Sequence, residues 1–159
     1  MTDPLKLARL LALVTPLALL GGALAFQFWG GLYPCEMCWW QRYGHIAALV
    51  LALGSFALPA RRWPVALAGL ALAVAGLIGA FHAGVEYGWW QGITGCTSTV
   101  HFGGGDPLKE VMDAPLVRCD VVQWKLFGIS LAGYNFLVSG AVAGAIFVLL
   151  GRAGKGGRA

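Results

Sequence analysis

Four apolar runs dominate the chain and limit what it can fold into. They cover about residues 7–29, 39–58, 63–81 and 127–150, and each approaches the roughly 20 residues that cross a bilayer as a helix. A spanning helix satisfies its own backbone hydrogen bonds, whereas an open strand in lipid cannot. We therefore predict an all-α membrane protein that forms a four-transmembrane-helix bundle.

The composition agrees with a chain that is embedded in the lipid bilayer. Of its 159 residues, 58% are hydrophobic and only 11% are charged, which leaves too little polar surface to cover a soluble domain. We predict a single membrane domain over residues 1–159, with outer loops at about 30–38 and 82–126. The net charge of +4 reflects membrane topology and indicates no nucleic acid partner.

The basic residues predict the orientation of the chain. Most of them lie in the two termini and in the loop after the second apolar run: Lys6, Arg9, Arg61, Arg62, Arg152, Lys155 and Arg158. The positive-inside rule places these segments in the cytoplasm and the other two loops outside it. A cleavable signal peptide ending near residues 23–25 is the alternative reading of the first run, but that run continues through aromatic residues and is long enough to span.

A pair of cysteines three residues apart lies at the start of the second run. Cys35 and Cys38 are followed, one helical turn later, by Arg42. At a helix start, unpaired N–H groups and the helix dipole favour a thiolate, and Arg42 adds to that effect. A cation in an apolar run either reaches the lipid headgroups or meets a partner, here a polar ligand or the thiolate. The motif indicates redox chemistry; a structural disulfide, a zinc half-site and two inert side chains are the alternatives.

The second outer loop carries the other two cysteines, Cys96 and Cys119. All four cysteines lie outside the cytoplasm, where disulfides persist, and four cysteines allow three pairings. The simplest resting pairs are Cys35 with Cys38 and Cys96 with Cys119, because the members of each pair share a loop. Residues 106–112 predict a short helix that lies in the membrane interface. The alternative is a loop that one structural disulfide, without a redox role, cross-links.

Two histidines suggest a rival function. His45 and His82 lie near the outer ends of spans, where two imidazoles can hold a b-type haem. Covalent haem attachment is not expected, because Trp39 rather than histidine follows Cys38. The alternative interpretation is that both histidines lie at the membrane interface and bind no haem. A second rival is a membrane scaffold whose disulfides only fix its outer loop.

The combined pattern resembles the bacterial DsbB family of disulfide-forming quinone reductases. The resemblance rests on three features: the run Pro34-Cys35-x-x-Cys38-x-x-x-Arg42 at the start of the second span, a cysteine pair in the second outer loop, and Gln123-Trp124 after Cys119. It covers nearly the whole chain. A vitamin K epoxide reductase-like enzyme has a similar helix and cysteine arrangement but a different motif context.

The resemblance implies a multi-pass protein of the bacterial inner membrane with periplasmic cysteines. Such a protein reoxidises DsbA, a thioredoxin-like periplasmic thiol oxidase, and passes the electrons to ubiquinone or menaquinone, which sustains protein disulfide formation. No metal is implied. Arg42 would contact the quinone, and Trp124 would lie near its ring.

The resemblance also implies a role for each cysteine. Cys96 receives the attack of the partner's thiolate, which releases Cys119 to communicate with Cys35. Cys38, beside the quinone, hands over the electrons. The redox-active disulfides would be Cys35–Cys38 and Cys96–Cys119.

Overall fold

Four long helices make up most of the part of the chain that the structure describes. The computed structural model describes residues 3–59, 61–94, 97–98 and 116–156. The helices are α1 (Pro4–Phe28), α2 (Glu36–Ala57), α3 (Trp63–Glu86) and α4 (Leu131–Gly156). Two short antiparallel pairs accompany them, β1 (Thr97–Ser98) with β2 (Leu116–Val117), and β3 (Lys125–Leu126) with β4 (Ile129–Ser130).

Three of these helices are long and apolar enough to cross a membrane. They are α1, α3 and the part of α4 up to Gly154. Helix α2 has a similar length, 22 residues, but contains charged and polar side chains in its first half. The prediction of a helical membrane protein is therefore confirmed, with three apolar spans and a fourth helix packed among them.

Local sequence signals explain where the helices begin. The Asp3 carboxylate accepts a hydrogen bond from the Leu5 N–H at 3.0 Å, and Pro4 occupies the first helical position, where its missing N–H costs nothing. At α2 the capping residue is Cys35, whose sulfur accepts the backbone N–H of Cys38 at 3.3 Å. The helix start thus places both motif cysteines at one end of the bundle.

The fourth helix begins later than its apolar run predicted. Phe127 and Gly128 have positive φ angles of 49° and 80° and form the tight turn between β3 and β4, so α4 starts at Leu131 and not near residue 127. The Tyr87 hydroxyl fixes this hairpin, because it donates to the Gly128 carbonyl at 2.9 Å and accepts the Ser130 N–H at 2.8 Å. Helix α3, conversely, continues to Glu86, five residues past its predicted end.

Small residues allow the helices to pack closely. The core between them consists largely of alanines with a few branched side chains: Ala8, Ala12, Ala48, Ala52, Val65, Ala68, Leu72, Ala143 and Ile146. At Gly79 of α3 a Cβ atom would lie 2.9 Å from both the Ala132 carbonyl oxygen and the Asn135 amide nitrogen of α4. Only glycine permits this approach, which brings the polar side chain of Asn135 into the bundle.

Basic residues bind backbone carbonyls at the end of the bundle opposite the cysteines. The buried Arg9 side chain contacts the carbonyl oxygens of Leu58, Pro59 and Arg61 in the α2–α3 connection. Arg62 donates to the Ala153 carbonyl of α4 at 2.7 Å. These contacts tie the α2–α3 connection to α1 and α4.

Candidate thiol redox site and adjoining cavity

The Cys35 sulfur lies at the centre of the site. It is buried and stands 2.9 Å from the Cys38 sulfur, too far for a disulfide of about 2.05 Å and close enough for a hydrogen bond between thiol and thiolate. The hydrogen bond with Cys38, together with burial, raises the pKa of the Cys35 thiol above its ordinary value. Cys35 therefore keeps its proton and donates it towards Cys38.

Cys119 from the second outer loop reaches the same place. The reactive atoms of Cys35, His82 and Cys119 all lie within 4.8 Å of one another, and all three residues are buried. The Thr94 hydroxyl lies 3.2 Å from the Cys119 sulfur. The fold therefore joins a cysteine of the second loop to the motif of the first. This cluster could also hold a zinc ion by ligand type and spacing, although the adjoining Cys38 and cavity point to thiol chemistry.

Gln41 determines which nitrogen of His82 carries the hydrogen. The Gln41 amide nitrogen lies 3.1 Å from the Met37 carbonyl, which can only accept, and 3.0 Å from Nδ1 of His82. Since that amide donates to Nδ1, the neutral ring holds its hydrogen on Nε2. Nε2 lies 3.6 Å from the Cys35 sulfur and 3.9 Å from a carboxylate oxygen of Glu86. The ring therefore presents an N–H donor to the sulfur cluster.

A cavity of about 220 Å³ adjoins the cysteines. It is bordered by apolar side chains of α1 and by polar groups of α2, α4 and the second loop; Cys38, Arg42, His45, Trp124, Tyr134 and Asn135 line it. Its largely apolar wall with a few polar groups is typical of a site for an organic ligand, and its size suits a single ring. The cavity therefore offers space beside Cys38 for a flat organic molecule.

Arg42 is buried at this cavity and is held by α1. Its guanidinium donates to the Gln27 side-chain oxygen at 2.6 Å and to the Ala23 carbonyl at 3.2 Å, and it lies 5.1 Å from the centre of the Trp39 ring. These two bonds use two of its five N–H groups. Arg42 is therefore stabilised by protein groups inside the bundle. A cation in an apolar helix is costly unless it has such partners or reaches the lipid headgroups.

The segment after Cys119 closes the cavity. The Trp124 ring packs against Phe26 of α1 at 5.0 Å and Tyr134 of α4 at 6.5 Å between ring centres. The Gln123 amide donates to the Tyr33 carbonyl at 3.0 Å, which ties the second outer loop to the first. Near Cys119, Arg118 makes two hydrogen bonds to Asp120 and lowers the pKa of that exposed carboxylate.

Comparison with known proteins assigns the chain to a protein family. The family model described as "Disulfide bond formation protein DsbB" matches residues 5–149. The chain belongs to the DsbB family. Membership makes it a quinone-dependent thiol oxidoreductase that forms protein disulfides, and a multi-pass protein of the bacterial inner membrane.

Individual DsbB relatives match over almost their full lengths. Disulfide bond formation protein B of Verminephrobacter eiseniae is 31% identical over 94% of this chain and 89% of the relative. The protein of the same name from an Acidovorax species is 32% identical over 93% and 90%. That of Marinobacter nauticus is 30% identical over 82% of each chain. No solved structure gives a significant match.

The structure brings together most of the residues that the sequence indicated for a DsbB-like site. Cys35, Cys38 and Cys119 form one cluster, and Arg42 and Trp124 line the adjoining cavity. Cys96, together with the predicted interfacial helix at residues 106–112, lies outside the described residues. The roles of these side chains stay predictions.

The haem alternative is not favoured in a DsbB member. Gln41 engages Nδ1 of His82, and Nε2 lies against the Cys35 sulfur, so neither ring nitrogen is placed to ligate iron. His45 uses Nε2 to bond Asn135 at 2.8 Å. The histidines instead belong to the polar interior of the bundle.

Sequence reasoning missed several polar residues of this interior. Gln41, Glu86 and Asn135 received no role, yet Gln41 bridges His82 and Asn135, and Glu86 lies beside His82. The signal that could have found them is their position: a polar side chain within or at the end of a spanning run usually faces the bundle and serves function.

Proposed function

We propose that the chain reoxidises a DsbA-like periplasmic thiol oxidase by disulfide exchange and passes the electrons to membrane quinone. The observation that supports this most directly is the position of Cys35, whose sulfur lies 2.9 Å from the Cys38 sulfur and within 4.8 Å of the Cys119 sulfur. A sulfur in that position can exchange partners with either neighbour by a small movement.

The proposed resting state contains two disulfides, Cys35–Cys38 and Cys96–Cys119. Support for the second pair comes from the pairing of Thr97 with Val117, since these residues are one and two positions from the two cysteines in sequence. A thiolate of the partner attacks Cys96, forms a mixed disulfide and releases Cys119 as a thiolate. The partner's second thiolate then attacks its own mixed-disulfide sulfur, which oxidises the partner and leaves Cys96 reduced.

The proposed internal step carries the electron pair to the cavity. Cys119 attacks Cys35, so the Cys35–Cys38 bond breaks, a Cys35–Cys119 bond forms and Cys38 becomes a thiolate. The reduced Cys96 then attacks Cys119, which re-forms the Cys96–Cys119 bond and releases Cys35 as a thiolate. The Cys35–Cys38 bond re-forms as the two electrons of this pair leave through the cavity that Cys38 lines. In net terms, a partner dithiol becomes a disulfide, and its two electrons and two protons convert a quinone to a hydroquinone.

In this proposal the cavity receives the ring of ubiquinone or menaquinone. Its apolar wall suits a ring that carries a lipid tail, and the Arg42 guanidinium offers donors for a carbonyl oxygen. Trp124, held by Phe26 and Tyr134, supplies an aromatic face at the same cavity. When bound, the quinone supplies the electron sink, while Arg42 and Trp124 orient it beside Cys38.

We further propose that α2 is a fourth crossing, with the termini in the cytoplasm and the cysteines in the periplasm. The contacts of Arg9 and Arg62 support this, because they gather positive charge at the end away from Cys35. The polar side chains of α2 do not oppose it, since Gln41, Arg42 and His45 are buried against other helices.

Quinone reduction by reduced DsbA tests the proposal. We expect Cys38→Ala to abolish reduction of a short-tailed quinone while still forming a mixed disulfide with the partner, and Cys96→Ala to abolish both. The two variants are matched, because each removes one sulfur and differs only in the step affected. Unchanged reduction rates in either variant would contradict the assigned roles. A membrane scaffold, the second candidate from the sequence, would trap no thioredoxin-like partner.

A further inference from the structure

A hydroxyl group lies against the sulfur of Cys119. The Thr94 side chain donates a hydrogen bond to this sulfur at 3.2 Å. Cys119 is buried and Thr94 is half-buried, so the bond is partly shielded from solvent. None of the proposed exchange steps uses this hydroxyl.

Thr94 belongs to the segment that leads to Cys96. It lies two positions before Cys96 in sequence, and Thr97, one position after Cys96, pairs with Val117. Val117 in turn lies two positions before Cys119. Residues on both sides of Cys96 therefore contact the segment that carries Cys119. The hydroxyl lies at one of the two sulfurs of the proposed Cys96–Cys119 disulfide.

Cys119 is the leaving group in the first proposed exchange. The partner's thiolate attacks the Cys96 sulfur, the Cys96–Cys119 bond breaks, a bond from the partner to Cys96 forms, and the electron pair of the broken bond stays on the Cys119 sulfur. A thiolate with a lower pKa leaves faster. A hydrogen bond donated to the charged sulfur favours that charged form.

We propose that the Thr94 hydroxyl stabilises the Cys119 thiolate as it forms, and thereby directs the partner's attack to Cys96. This inference rests on the proposed function. The rate of exchange depends on which of the two sulfurs is attacked, because the other one must carry the charge. Attack at Cys119 would place that charge on Cys96, whereas the hydroxyl bonds to Cys119. Thr94 keeps its own proton throughout, so the step needs no proton transfer.

Several titratable and charged groups also surround this sulfur. Those on α2 and α3 and those next to Cys119 in sequence are Cys35, His82, Glu86, Arg118 and Asp120. All of them affect how readily Cys119 ionises. Substitutions at Thr94 leave these groups in place, so a matched pair of variants at that position isolates the effect of the hydroxyl.

Thiol exchange in the full-length protein tests the inference. The background carries Cys35→Ala and Cys38→Ala, so the released Cys119 has no second disulfide to attack. Two attackers are compared: a DsbA-like partner whose second cysteine is replaced, which traps the mixed disulfide, and a small-molecule thiol, which needs no docking surface. Peptide mass spectrometry identifies the sulfur that carries the attacker, and we expect Cys96.

The matched variants at this position are Thr94→Val and Thr94→Ser. Valine keeps the shape of threonine but removes the hydroxyl, and we expect exchange with both attackers to be slower by about three- to tenfold. Serine keeps the hydroxyl and should retain most of the parent rate. Thr94→Val should also increase the share of attack at Cys119.

A titration separates stabilisation of the thiolate from a change in packing. In a protein whose only cysteine is Cys119, ultraviolet absorbance against pH follows formation of the thiolate, with a cysteine-free variant as the blank. Loss of a donor to the charged form raises the pKa, so Thr94→Val should move the titration to higher pH by about half a unit to one unit. Thr94→Ser should titrate like the parent.

Three results would overturn the inference. They are equal exchange rates in Thr94→Val and the parent, a Thr94→Ser variant as slow as Thr94→Val, and a slower rate with the partner alone, which would assign Thr94 to the docking surface. A different result would refute the proposed function while the role of Thr94 stands: the parent forms no mixed disulfide with the partner, yet the small thiol still reacts more slowly with Thr94→Val.

Discussion

The Nε2 atom of His82 lies 3.6 Å from the Cys35 sulfur, and Gln41 fixes that atom as the N–H end of the neutral ring. In the proposed cycle the Cys35 sulfur changes its disulfide partner twice. The His82 N–H points to this sulfur as a hydrogen-bond donor. A hydrogen bond to a charged sulfur stabilises the thiolate that develops as a disulfide to Cys35 breaks. We therefore predict that the His82 N–H promotes disulfide exchange at Cys35.

Replacing His82 with Phe should slow exchange at Cys35. Loss of one hydrogen bond to a charged group costs about 1.5–3 kcal/mol, which corresponds to a rate lower by about ten- to a hundredfold. Single-turnover experiments with reduced partner should show normal mixed-disulfide formation but late quinone reduction. His82→Gln, whose amide can place an N–H near the Nε2 position, should recover part of the rate. Equal rates in His82→Phe and the parent would remove His82 from the exchange step.

The hydrogen bond between the two motif cysteines predicts how Cys35 titrates. That bond is the largest cause of the raised Cys35 pKa, and burial is the second. In Cys38→Ala the first cause is gone, so the Cys35 pKa should fall and its thiolate should form at lower pH than in the parent. Burial remains, so the value should stay above that of a free thiol. Ultraviolet thiolate absorbance against pH measures this, with a variant lacking both cysteines as the blank. A titration that moves to higher pH would contradict the assignment of Cys35 as the proton-holding thiol.

Arg42 should govern quinone affinity through its shape as well as its charge. Lysine keeps the charge but cannot reach Gln27 and Ala23 together while also donating into the cavity, so Arg42→Lys should raise the KM for quinone about tenfold. Gln27→Leu leaves the guanidinium in place but removes its 2.6 Å tether, and a smaller increase in the same direction is expected. Steady-state kinetics with a soluble quinone analogue distinguish KM from kcat. An unchanged KM in Arg42→Lys would show that the shape of the guanidinium does not contribute to quinone binding.

Much of the fold could be predicted because lipid allows few solutions. An apolar run of sufficient length has to form a helix, and α1 and α3 lie close to where such runs predicted them. Hydropathy alone does not locate helix ends, however. Phe127 is as apolar as its neighbours, yet its positive φ belongs to a hairpin turn, and the polar residues His82 and Glu86 extend α3 because they face the bundle.

The candidate site was predictable in its chemistry and only partly in its surroundings. The spacing of Cys35, Cys38 and Arg42 is local and is visible in the sequence. The approach of Cys119 to Cys35 and the bond from Gln41 to His82 join residues far apart in the chain, and no periodic pattern encodes such contacts. A single polar residue in an apolar run shows that a partner is needed without showing which one.

Gly84 should be required for the packing of Trp90 against the C-terminal end of α3. The Trp90 ring folds back over the end of α3, where it stacks on Phe81 at 5.8 Å between ring centres and donates to the Phe81 carbonyl at 2.9 Å. A Cβ atom on Gly84 would lie only 2.0 Å from that ring, so Gly84→Ala must displace it. We expect a loss of about 1–3 kcal/mol in unfolding free energy from this overpacking, against a small gain in helix propensity.

Gly22→Ala in α1, where a Cβ atom meets nothing within 4 Å, is the matched control and should be neutral or slightly stabilising. In a Trp90→Ala background the clash is gone, and Gly84→Ala should then behave like the control. Unfolding in detergent, followed by near-ultraviolet circular dichroism, measures all of these variants, and additive losses in the double variant would refute the contact between Gly84 and Trp90.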